Sequence, residues 1–262
     1  MTKKTTKKLT SSKRADQYDD GDYNYLHYWR ERDYEHASEE YAIKQLLKGK
    51  RFKNAVDIGG GYGRLCLLLR EYADDVTLAE PSKKQLEIAD EFLKDHPKIH
   101  KARTQADKLS FKDKSFDLIT MIRVMHHLPD PTVEFRELHR VLDDDGWLLL
   151  EVANYAHARN RLKHALKGER VPENPIDIRS EENKNDEEIA FVNHNPKTVV
   201  KQLAHAGFRV EKTLSVSNLR SQKLKKVIPH GVMMAAEKAM QKPLSKSYFG
   251  PSVFFLVRKA SS

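Results

Sequence analysis

A run of glycines between two acids carries the chemistry most legible in this chain. Asp57-Ile58-Gly59-Gly60-Gly61-Tyr62-Gly63 follows the strand-like Phe52–Ile58 and opens onto Leu65-Cys66-Leu67-Leu68-Leu69, which reads as the buried side of a helix. Glycine lets a backbone turn sharply and approach a ligand closely, and a helix start presents N–H groups that a ligand can use. Strand, glycine turn and helix in that order predict a nucleotide crevice. The spacing narrows the ligand. A dinucleotide turn, G-x-G-x-x-G, would need glycine at position 64 or 66, where Arg64 and Cys66 stand. The second acid, Glu80, ends another strand-like run, Val76–Glu80, about twenty residues beyond the glycines. A carboxylate there can accept hydrogen bonds from both hydroxyls of a ribose.

Further candidates follow along the chain. Asp107-Lys108 precedes Phe111–Thr120; taken alone, Asp107 is more often a helix N-cap. Arg123 leads into His126-His127-Leu128-Pro129-Asp130-Pro131. Adjacent histidines on a strand or loop point apart, and no cysteine or third clustered ligand accompanies them, so no metal site is expected.

These residues need elements to position them. Strand-like and helix-like segments alternate from Phe52 to Glu151, including Pro81-Ser82 before the helical Lys83–Leu93. That rhythm predicts a parallel sheet with helices on both faces. Its strand ends would bring Gly59–Gly63, Glu80, Asp107 and Arg123 to one rim. Asn154–Asn195 breaks the rhythm with a basic piece, a proline-bearing link (Pro172, Pro175) and an acidic piece, Glu181–Glu188. A connection of that length is usually functional or disordered. A helix ending at Gly207 then restores it, followed by strands at Arg209–Val216 and Ser252–Arg258.

The pattern D-x-G-x-G-x-G resembles the cofactor loop of class I S-adenosylmethionine-dependent methyltransferases. The run Phe111-x-x-x-Ser115-Phe116-Asp117-Leu118-Ile119 is similar to their fourth strand. His127-Leu128 with Asp130-Pro131, then Glu137-Leu138-His139-Arg140-Val141-Leu142, resembles a block of the quinone-biosynthesis group; Asp144 and Asp145 replace its usual proline and first glycine in what is expected to be a turn. The resemblance covers roughly residues 50 to 155. It implies a Rossmann-like, doubly wound α/β fold: a mostly parallel seven-stranded sheet with an antiparallel last strand. It implies S-adenosyl-L-methionine as cofactor, held by Asp57, Gly59, Gly60, Gly61, Tyr62, Gly63, Glu80, Pro81, Asp107, Lys108 and Arg123, with Asp107 meeting the adenine amino group. It also implies a lid at 154–195, with 49–262 as the methyltransferase domain and 18–48 as an N-terminal helical segment over the site. His127, expected after the fourth strand, is the candidate base; His194 and Tyr34 are weaker candidates. The acceptor would be a small molecule receiving the methyl on O, N or C, lipophilic or phosphate-bearing. Two other classes stay open: a nicotinamide-dependent oxidoreductase, which the glycine spacing disfavours, and a non-catalytic partner protein that keeps the fold.

At 262 residues the chain has room for one α/β domain with an accessory segment. Its one cysteine, Cys66, cannot form an internal disulfide, and Met1–Arg14 lacks the apolar stretch of a signal peptide. A soluble protein of the reducing cytoplasm is expected. The net charge of +9 is unevenly spread. Residues 1–14 carry six Lys/Arg and no acid, and 197–262 carry thirteen against Glu211 and Glu237, which leaves 15–196 at −8. Residues 1–17 read as a disordered basic tail. The basic helical segment 217–250, with Arg220, Lys223, Lys225 and Lys226, would suit a solvated face or peripheral contact with an anionic membrane. No aromatics interleave its lysines, which argues against nucleic acid as partner.

Overall fold

Leucine, isoleucine, valine and phenylalanine crowd the strands of this chain because its central sheet is covered on both faces. The computed structural model describes Trp29, residues 32–179 and residues 191–260. The basic tail, most of the aromatic Tyr18–Tyr34 stretch and the acidic Glu181–Glu188 piece lie outside the described residues.

Helix α1 (Asp33–Leu46) precedes strand β1 (Phe52–Ile58), and the short α2 (Cys66–Leu69) follows the glycine loop. Then come β2 (Ala73–Glu80), α3 (Lys83–Phe92), β3 (Ile99–Arg103), β4 (Phe116–Met121), α4 (Thr132–Val141) and β5 (Leu142–Ala153). The chain continues through α5 (Ala158–Leu166), the two-residue strands β6 (Ile176–Asp177) and β7 (Val192–Asn193), α6 (Pro196–His205) and β8 (Phe208–Val216). It ends with α7 (Gln222–Val227), α8 (His230–Met240) and β9 (Ser252–Lys259). The main sheet has seven strands in the order β3-β2-β1-β4-β5-β9-β8. β1 to β5 are parallel, and β9 runs antiparallel between β5 and β8. The expected fold class is the one observed.

Alternation along the strands divides the core in two. Leu118, Leu149 and Phe254 face Ile43 and Leu46 of α1 and Leu69 of α2. Their neighbours Ile119, Leu148 and Phe255 face Phe135 and Leu138 of α4 and Leu203 of α6. Each such side chain, fully buried, contributes about 1.5–3 kcal/mol. Side chains set the helix starts too. Ser82 Oγ accepts from Gln85 N–H at α3, and Asn195 Oδ1 accepts from Lys197 N–H at α6, where Pro196 takes the first turn.

One local expectation fails. Asp144-Asp145 was expected to be a turn, yet it lies within β5. Partner Phe116 pairs with Leu142 and Leu118 with Trp147, so the extra residues form an irregularity in the strand. Lys114 and Lys259 both pair with Asp144 there, at 2.6 and 3.1 Å.

The C-terminal helices fasten onto α1. Met233 and Met234 of α8 pack with Tyr34. Tyr34 Oη donates to Glu237 Oε2 at 2.7 Å, and the same carboxylate accepts from the N–H groups of Ser217 (2.8 Å) and Asn218 (2.9 Å). Among the described residues no helix is long and apolar enough to cross a membrane.

Candidate active site

The C-terminal ends of the parallel strands form one rim, and the glycine loop sits at its centre on β1. Gly59 has a φ of +66°, and a Cβ there would lie 2.5 Å from Val124 Cγ2. A Cβ on Gly60 would meet Asp57 Oδ2 at 2.5 Å and Leu78 Cδ1 at 2.6 Å. The loop is tied to β2 through Glu80, which is 4% exposed. Gly61 N–H donates to Glu80 Oε2 at 2.8 Å, and Ser82 N–H donates to Oε1 at 3.0 Å. Beneath the loop, Asp57 Oδ1 accepts from Thr120 Oγ at 2.6 Å, whereas Oδ2 is buried with no partner. Burial pushes the Asp57 pKa up to about 6, against the opposing pull of Thr120 and Arg64.

Asp107 stands on the turn after β3, where Gln105 and Lys108 bridge. Its Oδ1 is also buried and unpartnered. Lys108 is exposed. The Pro81 carbonyl accepts from Arg103 Nε at 3.0 Å. The Tyr62 ring is buried edge-on against Phe92, 5.0 Å between centroids.

Arg123, just past β4, adopts a left-handed φ of 60° and donates its backbone N–H to Glu151 at 3.1 Å. Its guanidinium meets Glu39 Oε1 at 2.5–2.6 Å. Arg64 reaches Glu39 Oε2 at 2.7 Å and also contacts His36 Nδ1. Trp29 lies beside both arginines, 3.7 Å from the Arg64 guanidinium and 4.8 Å from that of Arg123. Burial alone would raise the Glu39 pKa; Arg123 and Arg64 together outweigh it and hold the carboxyl below its usual range.

A cavity of about 540 Å³ adjoins this rim. Arg123, His126 and Glu151 form part of its wall, with Phe191, Asn193 and Phe249 also lining it.

The family described as a methyltransferase domain matches residues 26–213, more than half of the chain. The chain belongs to the methyltransferase-domain family. The uncharacterized methyltransferase YcgJ of Bacillus subtilis is 36% identical over 104 residues, covering 38% of this chain and 40% of that protein. The ubiquinone/menaquinone biosynthesis C-methyltransferase UbiE of Vibrio campbellii is 29% identical over 104 residues, covering 37% and 40%. The match thus spans about two fifths of each of these curated relatives. In structure, the chain is similar to a SAM-dependent methyltransferase from Thermotoga maritima, with a TM-score of 0.62 at 20% identity over 90% of this chain and 94% of that one. That likeness shows the fold.

The rim of this methyltransferase-family chain carries unpartnered acceptors beside a tight glycine turn. The buried, unpartnered oxygens of Asp57 and Asp107 are acceptors awaiting donors, and the cradle at Gly59 and Gly60 is one that a Cβ would fill. The topology therefore brings Asp57, Gly59–Gly63, Glu80, Pro81, Asp107, Lys108 and Arg123 to one edge.

The histidines divide differently. His126 lines the cavity, whereas His127 is absent from its wall and packs at a tilt against His126 (4.0 Å) and edge-on to Phe191 (5.4 Å). His194 is buried and its Nε2 lies 2.9 Å from the Met125 carbonyl, so it anchors the turn that carries both histidines. Tyr34 is committed to Glu237 and to Leu219 N–H. Three functional candidates escaped the sequence: Glu39, Glu151 and Ser217. Glu151 had a legible signal, an acid at the end of an apolar strand run. Glu39 and Ser217 had none.

Proposed function

We propose that this chain binds S-adenosylmethionine at the glycine rim and transfers its methyl group to an O, N or C atom of a small molecule held in the adjoining cavity. The observation that carries this is Glu80, locked by Gly61 and Ser82 N–H groups at the loop's edge. A carboxylate so oriented suits the two ribose hydroxyls. Asp107 Oδ1 suits an adenine amino group, and Asp57 Oδ2 is placed for a donor deeper in the crevice.

When bound, the cofactor supplies an electrophilic methyl on a sulfonium. The residues then have to orient a nucleophile, exclude water and take a proton where the acceptor has one to lose. Glu151 is suited to that last task. It lines the cavity, accepts from Ser252 Oγ at 2.6 Å and from Arg123 N–H, and burial raises its pKa against the pull of Arg123. His126 lines the same space, with burial holding its pKa well below the usual range. Of the 154–195 segment expected as a lid, His157, Ala158, Arg159, Ile178, Phe191 and Asn193 line the cavity.

Turnover tests the reading. Conversion of S-adenosylmethionine to S-adenosylhomocysteine in the presence of an acceptor library should depend on acceptor and on Glu151. Cofactor binding with no turnover across neutral, anionic and cationic acceptors would instead favour a non-catalytic partner.

A further inference from the structure

Four charged residues line the cavity: Arg123, Arg159 and Arg220 against Glu151. Arg123 and Arg220 are held from behind by acids that do not neutralise them fully. Glu39 serves Arg64 and Arg123, and Glu35 serves Lys225 (2.5 Å) and Arg220 (3.6 Å), so each buried carboxylate answers two cations. Arg159 is exposed at the mouth. His157 also lines the cavity, and its pKa is lowered by burial first and then by Arg159, Arg161 and Arg220. The wall is therefore electropositive.

A second observation is independent of charge. Ser217 stands on the cavity wall, is 2% exposed, and its Oγ has no hydrogen-bond partner. A buried hydroxyl without a partner is costly, and a bound oxyanion would satisfy it. Its backbone is held at a φ of 60°, in the left-handed region, by the Glu237 carboxylate on its N–H. Arg123, on the same wall, shares that conformation. Apolar surface completes the cavity: Phe191, Phe249 (39% exposed) and Ile178 (46% exposed).

We infer that the acceptor is an anion, its carboxylate or phosphate oxygens seated between Arg159, Arg220 and the Ser217 hydroxyl, with an apolar or aromatic body against Phe191, Phe249 and Ile178. This rests on the methyl-transfer reading of the same site. Arginine is suited to either oxyanion because its planar N–H groups can meet two oxygens at once.

The test is calorimetric titration of the full chain loaded with S-adenosylhomocysteine, using benzoate, phenyl phosphate and neutral benzyl alcohol. At least one anionic probe should bind about tenfold tighter than the alcohol, and which one distinguishes carboxylate from phosphate. Arg159→Gln and Arg220→Gln should each cost about tenfold, and Ser217→Ala about threefold, while Lys223→Gln on neighbouring α7 changes nothing. Affinity for S-adenosylhomocysteine should stay within about twofold in every variant. Arg159 is exposed, so its variant remains informative if loss of the Arg220–Glu35 contact unfolds the chain. Equal binding of alcohol and anions, no anion binding up to about 10 mM, or an equal loss in Lys223→Gln would overturn the inference. Failure of S-adenosylhomocysteine itself to bind would instead sink the methyl-transfer reading, and titration of the ligand-free chain would then judge the anion site by itself.

Discussion

Glu35 and Glu39 stand one turn apart on α1, and each buries its carboxylate between two cations, one of which continues to the cavity wall. Glu39 sends Arg123 there and Glu35 sends Arg220. A helix without any motif thereby joins the glycine rim, through Arg64, to the cavity wall.

Glu39→Gln should therefore be costly. Arg64 and Arg123 side chains are only 11% and 16% exposed, so removing their shared partner strands charge in the interior. A loss of about 3–5 kcal/mol is expected. The sign follows from the depressed pKa: the carboxylate's contribution is complete above its unfolded-state value near pH 4 and is lost as pH falls through the lower folded-state value. Urea unfolding should show a constant gap between wild type and variant from about pH 6 to 8, narrowing only below about pH 4. A gap that closes between pH 6 and 8 would refute the clamp.

Asp57→Asn should behave in the opposite sense. Burial raises the Asp57 pKa to about 6, so the protonated form suits the folded state. Its contribution is present below the unfolded value near 4 and lost as pH rises through about 6. Without ligand, the asparagine variant should gain on wild type between pH 4 and 8, by at most about 3 kcal/mol for a shift of roughly two units. Parallel pH profiles would show that Asp57 is solvated after all.

Much of this was open to sequence reasoning. Gly59–Gly63 and Glu80 are local and regularly spaced, and the strand–helix alternation fixed which loops share a rim. Glu39 was not legible, because an acid on a helix takes its meaning from Arg64 and Arg123, which approach it from other elements. Ser217 takes its meaning from Glu237, twenty residues on. The His126–His127 pair could not be separated either, since adjacent residues on the Met125–His127 turn differ by about a third of a turn, and that rotation decides which ring meets the cavity. The expected turn at Asp144-Asp145 failed because the register shift between Phe116 and Leu118 takes these residues into β5 as an irregularity, where Lys114 and Lys259 pair with Asp144.

Gly60→Ala offers a steric test of the cradle. Its new Cβ would lie within 2.6 Å of both Asp57 Oδ2 and Leu78 Cδ1. Displacing either costs about 1–3 kcal/mol, so cofactor affinity should fall about tenfold or more. Unchanged affinity by calorimetry would mean that the loop is not the binding surface.

Glu151→Gln separates proton transfer from binding. The amide keeps an oxygen for Arg123 N–H but loses the base, so kcat should fall about 100-fold with cofactor affinity unchanged. His127→Ala, at a residue absent from the cavity wall, should change kcat less than Glu151→Gln does. The reverse ranking would return the base to His127.

The central claim is that the rim around Glu80 holds S-adenosylmethionine. Calorimetry on the wild type and on Glu80→Ala addresses it directly. The account predicts a Kd of about 10 µM or tighter for wild type, weakened about 100-fold or more in the variant. Absence of binding by the wild type, or equal binding by both proteins, would contradict it.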